Sequence, residues 1–190
     1  MPMSGPADDE LLHAYAKGDP SAFEQLYERH AGVLWRFVLR SVQEPGLAEE
    51  LAQDVWIAVI EKAGQFESRS AFRTWLLSIA HHRIVDHWRR HRPHVSLDAD
   101  ADEGRGWAEK LVAESGFGPV RQLQSREQGQ ALLDALAALP IEQREAFVLQ
   151  AEGGLSVADI ASVTKVPHET AKSRLRYARA QLRKVLEDQR

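Results

Sequence analysis

The stretch LSVADIASVTKVPHETAKSRLRYARAQLRK, residues 155–184, decides the fold of the C-terminal part of the chain. Ser156, with Asp159 three residues later, predicts the capped start of a short helix. Lys165-Val-Pro167 then turns the chain before a long helix that begins at His168. A short helix, a tight turn and a long helix form a helix-turn-helix, whose second helix reads the major groove of DNA. The stretch therefore predicts a helix that contacts DNA.

The long helix of this motif carries an apolar and a basic stripe at helical spacing. The apolar stripe is Ala171, Leu175, Ala178, Leu182 and Val185, and the basic stripe is Lys172, Arg176, Arg179 and Arg183. Because only the N-terminal end of a recognition helix enters the groove, base and phosphate contacts are predicted there. The predicted residues are His168, Glu169, Thr170, Lys172, Ser173, Arg174 and Arg176. The basic stripe could also be a solvated surface, but the capped helix and the Pro-containing turn before it favour DNA.

The charge of the chain is distributed unevenly. The 190 residues include 24 Lys+Arg and 28 Asp+Glu, which gives a net charge of −4. That value argues against a protein that coats nucleic acid through bulk positive charge. Residues 69–97 and residues 165–190, however, each carry a net +5. Two basic islands on predicted helices indicate two local surfaces for nucleic acid.

The first basic island lies on a predicted helix that runs from Phe72 to about Arg92 and is stopped by Pro93. Its basic side chains are interleaved with Trp75 and Trp88, and the loop before it contains Phe66. This pattern suits single-stranded or opened nucleic acid, because phosphates require charge and unstacked bases require apolar surfaces. For each aromatic residue taken singly, core packing is the alternative interpretation.

The remaining pattern predicts an all-α fold with an N-terminal domain over residues 10–94. Ser21-Ala-Phe-Glu24 predicts the start of a helix, and Pro45-Gly46 its end. A second helix is predicted from Leu47 to Ala63, with Gly64 as the residue that closes it.

Residues 95–124 are rich in Gly and Asp and are predicted to be a flexible acidic linker. Fully extended, about 30 residues span up to about 100 Å, which would let the two domains sit two turns of duplex apart. A second domain is predicted over residues 125–187. It begins with a capping-box pattern at Ser125, and Pro140 is predicted as the first residue of its second helix.

Composition and spacing exclude several other functions. The chain has no Cys, which excludes disulfides, a thiol nucleophile and thiolate metal sites. The longest apolar run, Val55 to Ile60, is far too short to span a membrane, and the N-terminus lacks a basic and apolar leader, so we expect a cytoplasmic protein without membrane insertion. His87 and His91 have the spacing of a metal pair, but no carboxylate-rich partner set accompanies them. No metal or other cofactor is therefore expected.

In their order and spacing, these motifs resemble the group IV, or extracytoplasmic-function (ECF), sigma factors of bacterial RNA polymerase, which belong to the sigma-70 family. Glu49-Glu-Leu-Ala-Gln-Asp-Val-Trp56 is similar to the acidic helix of region 2.2. The helix from Phe72 to Arg92 resembles regions 2.3 and 2.4, and the stretch from Leu155 to Arg183 resembles region 4.2. The resemblance covers nearly the whole chain.

The resemblance implies a transcription initiation factor without catalysis of its own, which binds core RNA polymerase through the β′ clamp and the β flap and directs it to promoter DNA. The implied polymerase-binding residues are Glu49, Glu50, Gln53, Asp54 and Trp56. The implied minus-10 contacts are Phe66, Ser68, Arg69, His82, Arg83, Asp86, Trp88, Arg89 and Arg90. Tyr177, at a position where the family often has Arg, joins the helix-turn-helix residues as an implied minus-35 contact. An anti-sigma factor is an implied partner.

Two other functions remain as alternatives. One is a stand-alone helix-turn-helix regulator with an N-terminal partner-binding domain, although such a regulator has no need of an acidic helix followed by a basic aromatic one. The other is a hydrolase that uses a histidine-bound metal, for which His87 and His91 supply the only suggestive spacing.

Overall fold

A computed structural model describes residues 5–91 and 126–188 of the chain. These residues form α-helices and contain no strand, which confirms the all-α prediction. The helices are α1 Asp8–Ala16, α2 Pro20–Val42, α3 Pro45–Lys62, α4 Phe72–Arg90, α5 Arg126–Ala138, α6 Ile141–Ala151, α7 Val157–Thr164 and α8 His168–Asp188. Within the described ranges, no helix is long and apolar enough to cross a membrane. The predicted linker, residues 95–124, lies outside them.

Helix α2 begins one residue before the predicted capping box. Asp19 is the N-cap, and its carboxylate accepts hydrogen bonds from the backbone N–H and the hydroxyl of Ser21 at 3.0 and 2.7 Å. Pro20 takes the first helical position, where its missing N–H costs nothing. The prediction of Ser21 as the cap is wrong, because the carboxylate of Asp19 accepts from the Ser21 N–H and the helix starts earlier.

The start and end of α3 also differ from the prediction. Pro45, predicted to end the preceding helix, is instead the first residue of α3. Helix α2 ends before Gln43, its C-cap, whose backbone is left-handed with a φ of 62°. Gly64, predicted to close α3, lies inside the short 3₁₀ turn Ala63–Gln65 that continues the helix axis. Proline marks a helix start as readily as an end, so only the tertiary packing decides between the two.

Helix α1 was not predicted from the sequence. It is held against α2 and α4 by its first two acidic residues. The Asp8 carboxylate lies 2.9 Å from the guanidinium of Arg29 and 2.7 Å from Nε2 of the buried His30. The Asp9 carboxylate accepts a hydrogen bond of 3.1 Å from the backbone N–H of Phe72, which satisfies a donor at the start of α4. A helix of nine residues gives a weak periodic signal, and α1 is stabilised by partners distant in sequence and by the burial of Leu11 and Leu12.

The C-terminal helices follow the predicted pattern more closely. Pro140 is the N-cap of α6, one residue before the predicted helical position. Ser156 and Asp159 form the predicted capping box of α7, with the Asp159 N–H donating to the Ser156 hydroxyl at 3.1 Å. Lys165 makes the turn in a left-handed conformation with a φ of 53°. Ser125, the first residue of the other predicted capping box, lies outside the described residues.

The two groups of helices pack against each other. We call residues 5–91 the N-terminal half and residues 126–188 the C-terminal half. Helix α6 contacts α2, and α7 contacts α4. The buried apolar side chains of both halves form one continuous cluster. At Gly153 an added Cβ would lie 2.5 Å from the backbone oxygen of Leu149 and 2.7 Å from Cδ1 of Leu77 on α4, so the position requires glycine and the halves approach closely there.

Replacing Ser156 by Ala tests the cap that positions the helix-turn-helix. We expect the free energy of unfolding to fall by about 1 kcal/mol, because the Asp159 N–H loses its acceptor. The measurement is chemical denaturation followed by circular dichroism. Ser162→Ala, on an exposed position of the same helix, is the matched control. Equal stability of the two variants would contradict the assignment of the cap.

Candidate nucleic-acid interface

The first turns of α8 present polar side chains to solvent. The side chains of His168, Glu169 and Lys172 are 56%, 78% and 64% exposed. The opposite side of the helix is buried, since Ala171 and Leu175 lie in the core together with Ala178 and Leu182. The apolar stripe predicted from sequence is therefore the buried face, and the predicted minus-35 residues surround the face that remains. Thr170, Ser173 and Arg174 are half-buried at the edges of that face.

Arg176 and Tyr177 form an exposed pair further along α8. Tyr177 is 52% exposed, and the guanidinium carbon of Arg176 lies 5.0 Å from the centre of its ring. The guanidinium also donates to the tyrosine hydroxyl at 3.3 Å. This contact directs the guanidinium along the helix surface and keeps it at the solvent-facing side. Arg179, by contrast, donates to the side chain of Gln150 on α6, which ties it to the scaffold.

The second half of α4 also carries exposed charge. Asp86, Arg89 and Arg90 are exposed, with side chains of Arg89 and Asp86 that are 77% and 57% accessible. Trp88 is 37% exposed, whereas Arg83 is half-buried. The first half of α4 is buried through Phe72, Leu76, Leu77 and Ala80. Helix α4 therefore lies in the core along its first half and at the surface along its second half.

Phe66 lies in the core, although it was predicted as a minus-10 contact. It is 7% exposed, and its ring centre lies 5.1 Å from that of Trp75 and 6.5 Å from that of Phe72. The neighbouring loop residues Ser68 and Arg69 are exposed, and Arg69 pairs with Glu67 at 2.5 Å. A base contact by the Phe66 ring requires the loop to leave this packing.

His82 lies beside the helix-turn-helix. Its pKa is lowered from the ordinary histidine value, first by partial desolvation and then by the positive charge of Lys165. Lys165 is the turn residue that precedes the recognition helix. A predicted minus-10 residue and the predicted minus-35 reader therefore lie next to each other in this structure.

The histidine pair on α4 forms a stack. The ring centres of His87 and His91 are 4.1 Å apart with an interplanar angle of 20°. The His87 pKa is lowered, first by desolvation and then by the charges of His91 and Arg90. In the part of the chain that the structure describes, no three His, Asp or Glu side chains are grouped closely enough to hold a metal ion.

A third surface lies between α2 and α3. Glu49, Glu50 and Gln53 are exposed along α3, Asp54 is half-buried, and Trp56 is 8% exposed. Three of these residues, Glu49, Gln53 and Trp56, line a groove of about 350 Å³ together with Tyr27, Ala31, Trp35, Pro45, Gly46 and Ala52. Tyr27 is 48% exposed, and its ring centre lies 5.0 Å from that of Trp56.

The contribution of α2 to this groove was missed from sequence. Tyr27 lies on the apolar stripe of α2, where core packing is the usual role, so the pattern gave no signal that it faces solvent. The lining of the groove is mostly apolar and aromatic, and Glu49 adds an acidic side chain. Such a surface suits an amphipathic protein segment with basic residues.

An exposed recognition helix, a basic helix with an exposed tryptophan, and an acidic aromatic groove define a helix-turn-helix transcription protein that also binds a protein partner. Residues 26–94 match the family Sigma-70 region 2, and residues 129–182 match Sigma-70, region 4. The ECF RNA polymerase sigma factor SigC of Mycobacterium tuberculosis is 33% identical over 185 residues, which cover 91% of this chain and 90% of that protein. SigW of Bacillus subtilis is 29% identical, with 90% and 92% covered. The chain belongs to the ECF sigma factors of the sigma-70 family.

Solved structures share the fold. CnrH, in a complex with the cytosolic domain of CnrY, has a TM-score of 0.67 at 24% identity, and the match covers 96% of this chain and 99% of the CnrH chain. The sigma factor RpoE of Bartonella quintana, in a complex with the anti-sigma factor NepR, has a TM-score of 0.64 at 24% identity, with 88% and 98% covered.

Replacing Arg176 by Ala tests base reading by α8. We expect selectivity within the minus-35 element to decrease by about 1–3 kcal/mol for the preferred base pair, because the exposed guanidinium is placed to donate to a base edge. The measurement is the relative use of variants in a minus-35 promoter library. Arg183→Ala, two turns later on an exposed position, is the control. Unchanged selectivity in the Arg176 variant would reject it as a base reader.

Proposed function

We propose that this ECF sigma factor binds core RNA polymerase, directs it to specific promoters and helps to open the minus-10 element. The observation that carries this proposal is the presence of two exposed basic helices and an acidic aromatic groove in one chain. A stand-alone regulator has use for the recognition helix α8 but not for the groove. A metal-dependent hydrolase has no support from the histidine pair.

The recognition helix α8 is assigned to the duplex minus-35 element. Its exposed residues offer both hydrogen-bond donors and a carboxylate near the helix N-terminus. Lys172 and Arg176 can donate to guanine or to phosphates, and Glu169 can accept from a cytosine amino group. In the free protein the Glu169 carboxylate lies 3.5 Å from the Lys172 ammonium group. Contacts to DNA would replace this exposed ion pair.

The surface of α4 is assigned to the minus-10 element. Flipping a base out of the duplex costs a few kcal/mol, which contacts to the unpaired strand must offset. Trp88 offers a face for stacking, and Arg89 and Arg90 offer charge for the backbone. Asp86 lies on the same exposed side, where its carboxylate can accept from a base amino group.

The groove between α2 and α3 is assigned to the clamp of the polymerase β′ subunit. Tyr27 and Trp56 supply apolar area and Glu49 supplies negative charge in the groove, while Glu50 and Asp54 lie further along the same helix. At many protein interfaces a few residues, often aromatic, contribute most of the binding energy.

The remaining parts of the proposal concern context. We assign a β-flap contact to the C-terminal half, control by an anti-sigma factor, a cytoplasmic location and no catalytic activity of its own. The solved complex of RpoE with the anti-sigma factor NepR supports an anti-sigma factor as the type of regulator.

Run-off transcription with purified core polymerase and a promoter library tests the proposed function. We expect initiation at a discrete set of sites only when the chain is added. The absence of both discrete initiation and binding to core polymerase would overturn the proposal.

Replacing Asp54 by Lys tests the groove as the clamp site. We expect the affinity for core polymerase to fall by about tenfold or more, because a positive charge replaces a negative one next to the groove residue Gln53. The measurement is a titration of labelled protein with core polymerase. Glu61→Lys, an equal charge change at an exposed position of the same helix, is the control. Equal affinity of both variants would reject the assignment, provided that their circular dichroism spectra remain helical.

A further inference from the structure

We propose that the free chain holds itself in a closed state, in which an ion triad of Arg36, Arg40 and Glu152 locks the two promoter-reading halves together. The triad must open before the minus-10 and minus-35 surfaces can bind one promoter. This inference rests on the proposed function for its consequence, but the closed state itself can be measured without polymerase or DNA.

Glu152 is the central residue of the triad. It follows the last residue of α6 in the C-terminal half, and its side chain is 0% exposed. One carboxylate oxygen lies 2.8 Å from Nε of Arg36, and the other lies 2.9 Å from Nη2 of Arg40. Both arginines belong to α2 in the N-terminal half. A carboxylate of the second half is therefore buried against two cations of the first.

The three charged side chains of the triad are largely shielded from water. The side chain of Arg40 is 3% exposed and that of Arg36 is 15% exposed, so water contributes little to any of the three charges. Desolvation lowers the pKa of Arg40 to about 10, against the opposing effect of Glu152. A buried charge that loses its partner is strongly destabilising, because it has neither water nor a counter-ion. If the Glu152 charge is removed, the closed state retains the desolvated arginines without their carboxylate, whereas an open state returns them to water.

Further polar contacts surround the triad. Nδ1 of His81 on α4 lies 2.5 Å from a carboxylate oxygen of Glu145 on α6. The guanidinium of the buried Arg144 donates to the carbonyl oxygens of Ala137, at 2.8 Å, and Ser41, at 3.4 Å, which lie in opposite halves. Arg73 on α4 donates to the carbonyl oxygen of Gly153 at 3.4 Å. These contacts, together with Leu77 against Gly153, extend the interface along α2 and α4.

The closed state is too compact for a promoter. Elements centred near positions −35 and −10 are about 25 base pairs apart, which corresponds to about 85 Å at about 3.4 Å per base pair. Helix α7 packs directly on α4, and packed helices have axes about 8–10 Å apart. The recognition helix starts three residues after Lys165, which adds at most about 11 Å. Helix α4 and the start of α8 therefore lie several times too close to read both elements at once.

Energy transfer between two dyes measures the closed state in the full-length protein. The chain has no cysteine, so Glu44→Cys and Ala138→Cys provide the only two labelling sites. Both positions are exposed, and they neighbour Gln43 and Ala137, whose side chain and carbonyl oxygen are 3.3 Å apart across the interface. We expect near-complete transfer in the free protein. We expect low transfer in the complex with core polymerase and a promoter selected from the library.

Glu152→Gln in this labelled protein tests the ion triad. We expect the low-transfer population to increase by about tenfold or more, because the buried arginines lose their counter-charge. Arg36→Gln should shift the population in the same direction from the other side of the interface. Glu142→Gln, an exposed position on α6, is the matched control and should leave the transfer unchanged. Helical circular dichroism of each variant establishes that both halves remain folded.

Several results would overturn the closed state. Low transfer in the free wild-type protein would reject it, as would high transfer in the promoter complex. Equal transfer in the Glu152 and Glu142 variants would reject the ion triad as its cause. A failure of the proposed function is distinguishable, because transcription would then be absent while free wild-type protein still shows high transfer.

Discussion

The carboxylate of Glu152, buried between Arg36 and Arg40, is the interaction on which the arrangement of the molecule depends. A fully desolvated carboxylate is tolerable only where cations lie within ion-pair distance. This requirement fixes how α6 lies on α2, and through α6 it fixes where the helix-turn-helix lies on α4. The absence of a Cβ at Gly153 then allows the two halves to approach closely enough for one continuous apolar cluster.

Helix α4 serves the core and the surface with different parts of its length. Its first half supplies Phe72, Leu76 and Leu77 to the core, and its second half presents Trp88, Arg89 and Arg90 to solvent. The middle of the helix contacts the other half through His81. A single helix thus links the core, the interface between the halves and a candidate DNA surface.

The net charge of −4 does not reveal the local distribution of charge, which matters for DNA binding. The two basic islands, residues 69–97 and 165–190, include α4 and α8, and the rest of the sequence carries a net charge of −14. The groove between α2 and α3 also carries an acidic side chain, that of Glu49. Long-range repulsion from this acidity weakens non-specific attraction of the free protein to DNA, while the local islands retain the charge that a positioned duplex would meet.

The sequence by itself determined the helical fold, the helix-turn-helix with its Ser156 cap, and the buried and exposed stripes of α8, because these follow from local spacing and capping. It misplaced the starts of α2 and α3 and missed α1, which buries Leu11 and Leu12 and pairs Asp8 and Asp9 with distant residues. Only the tertiary structure decided that Phe66 is buried, that Tyr27 lines a groove, and that Glu152 meets Arg36 and Arg40. These features join residues far apart in sequence, and no periodic pattern within one segment records which distant side chains share a desolvated space.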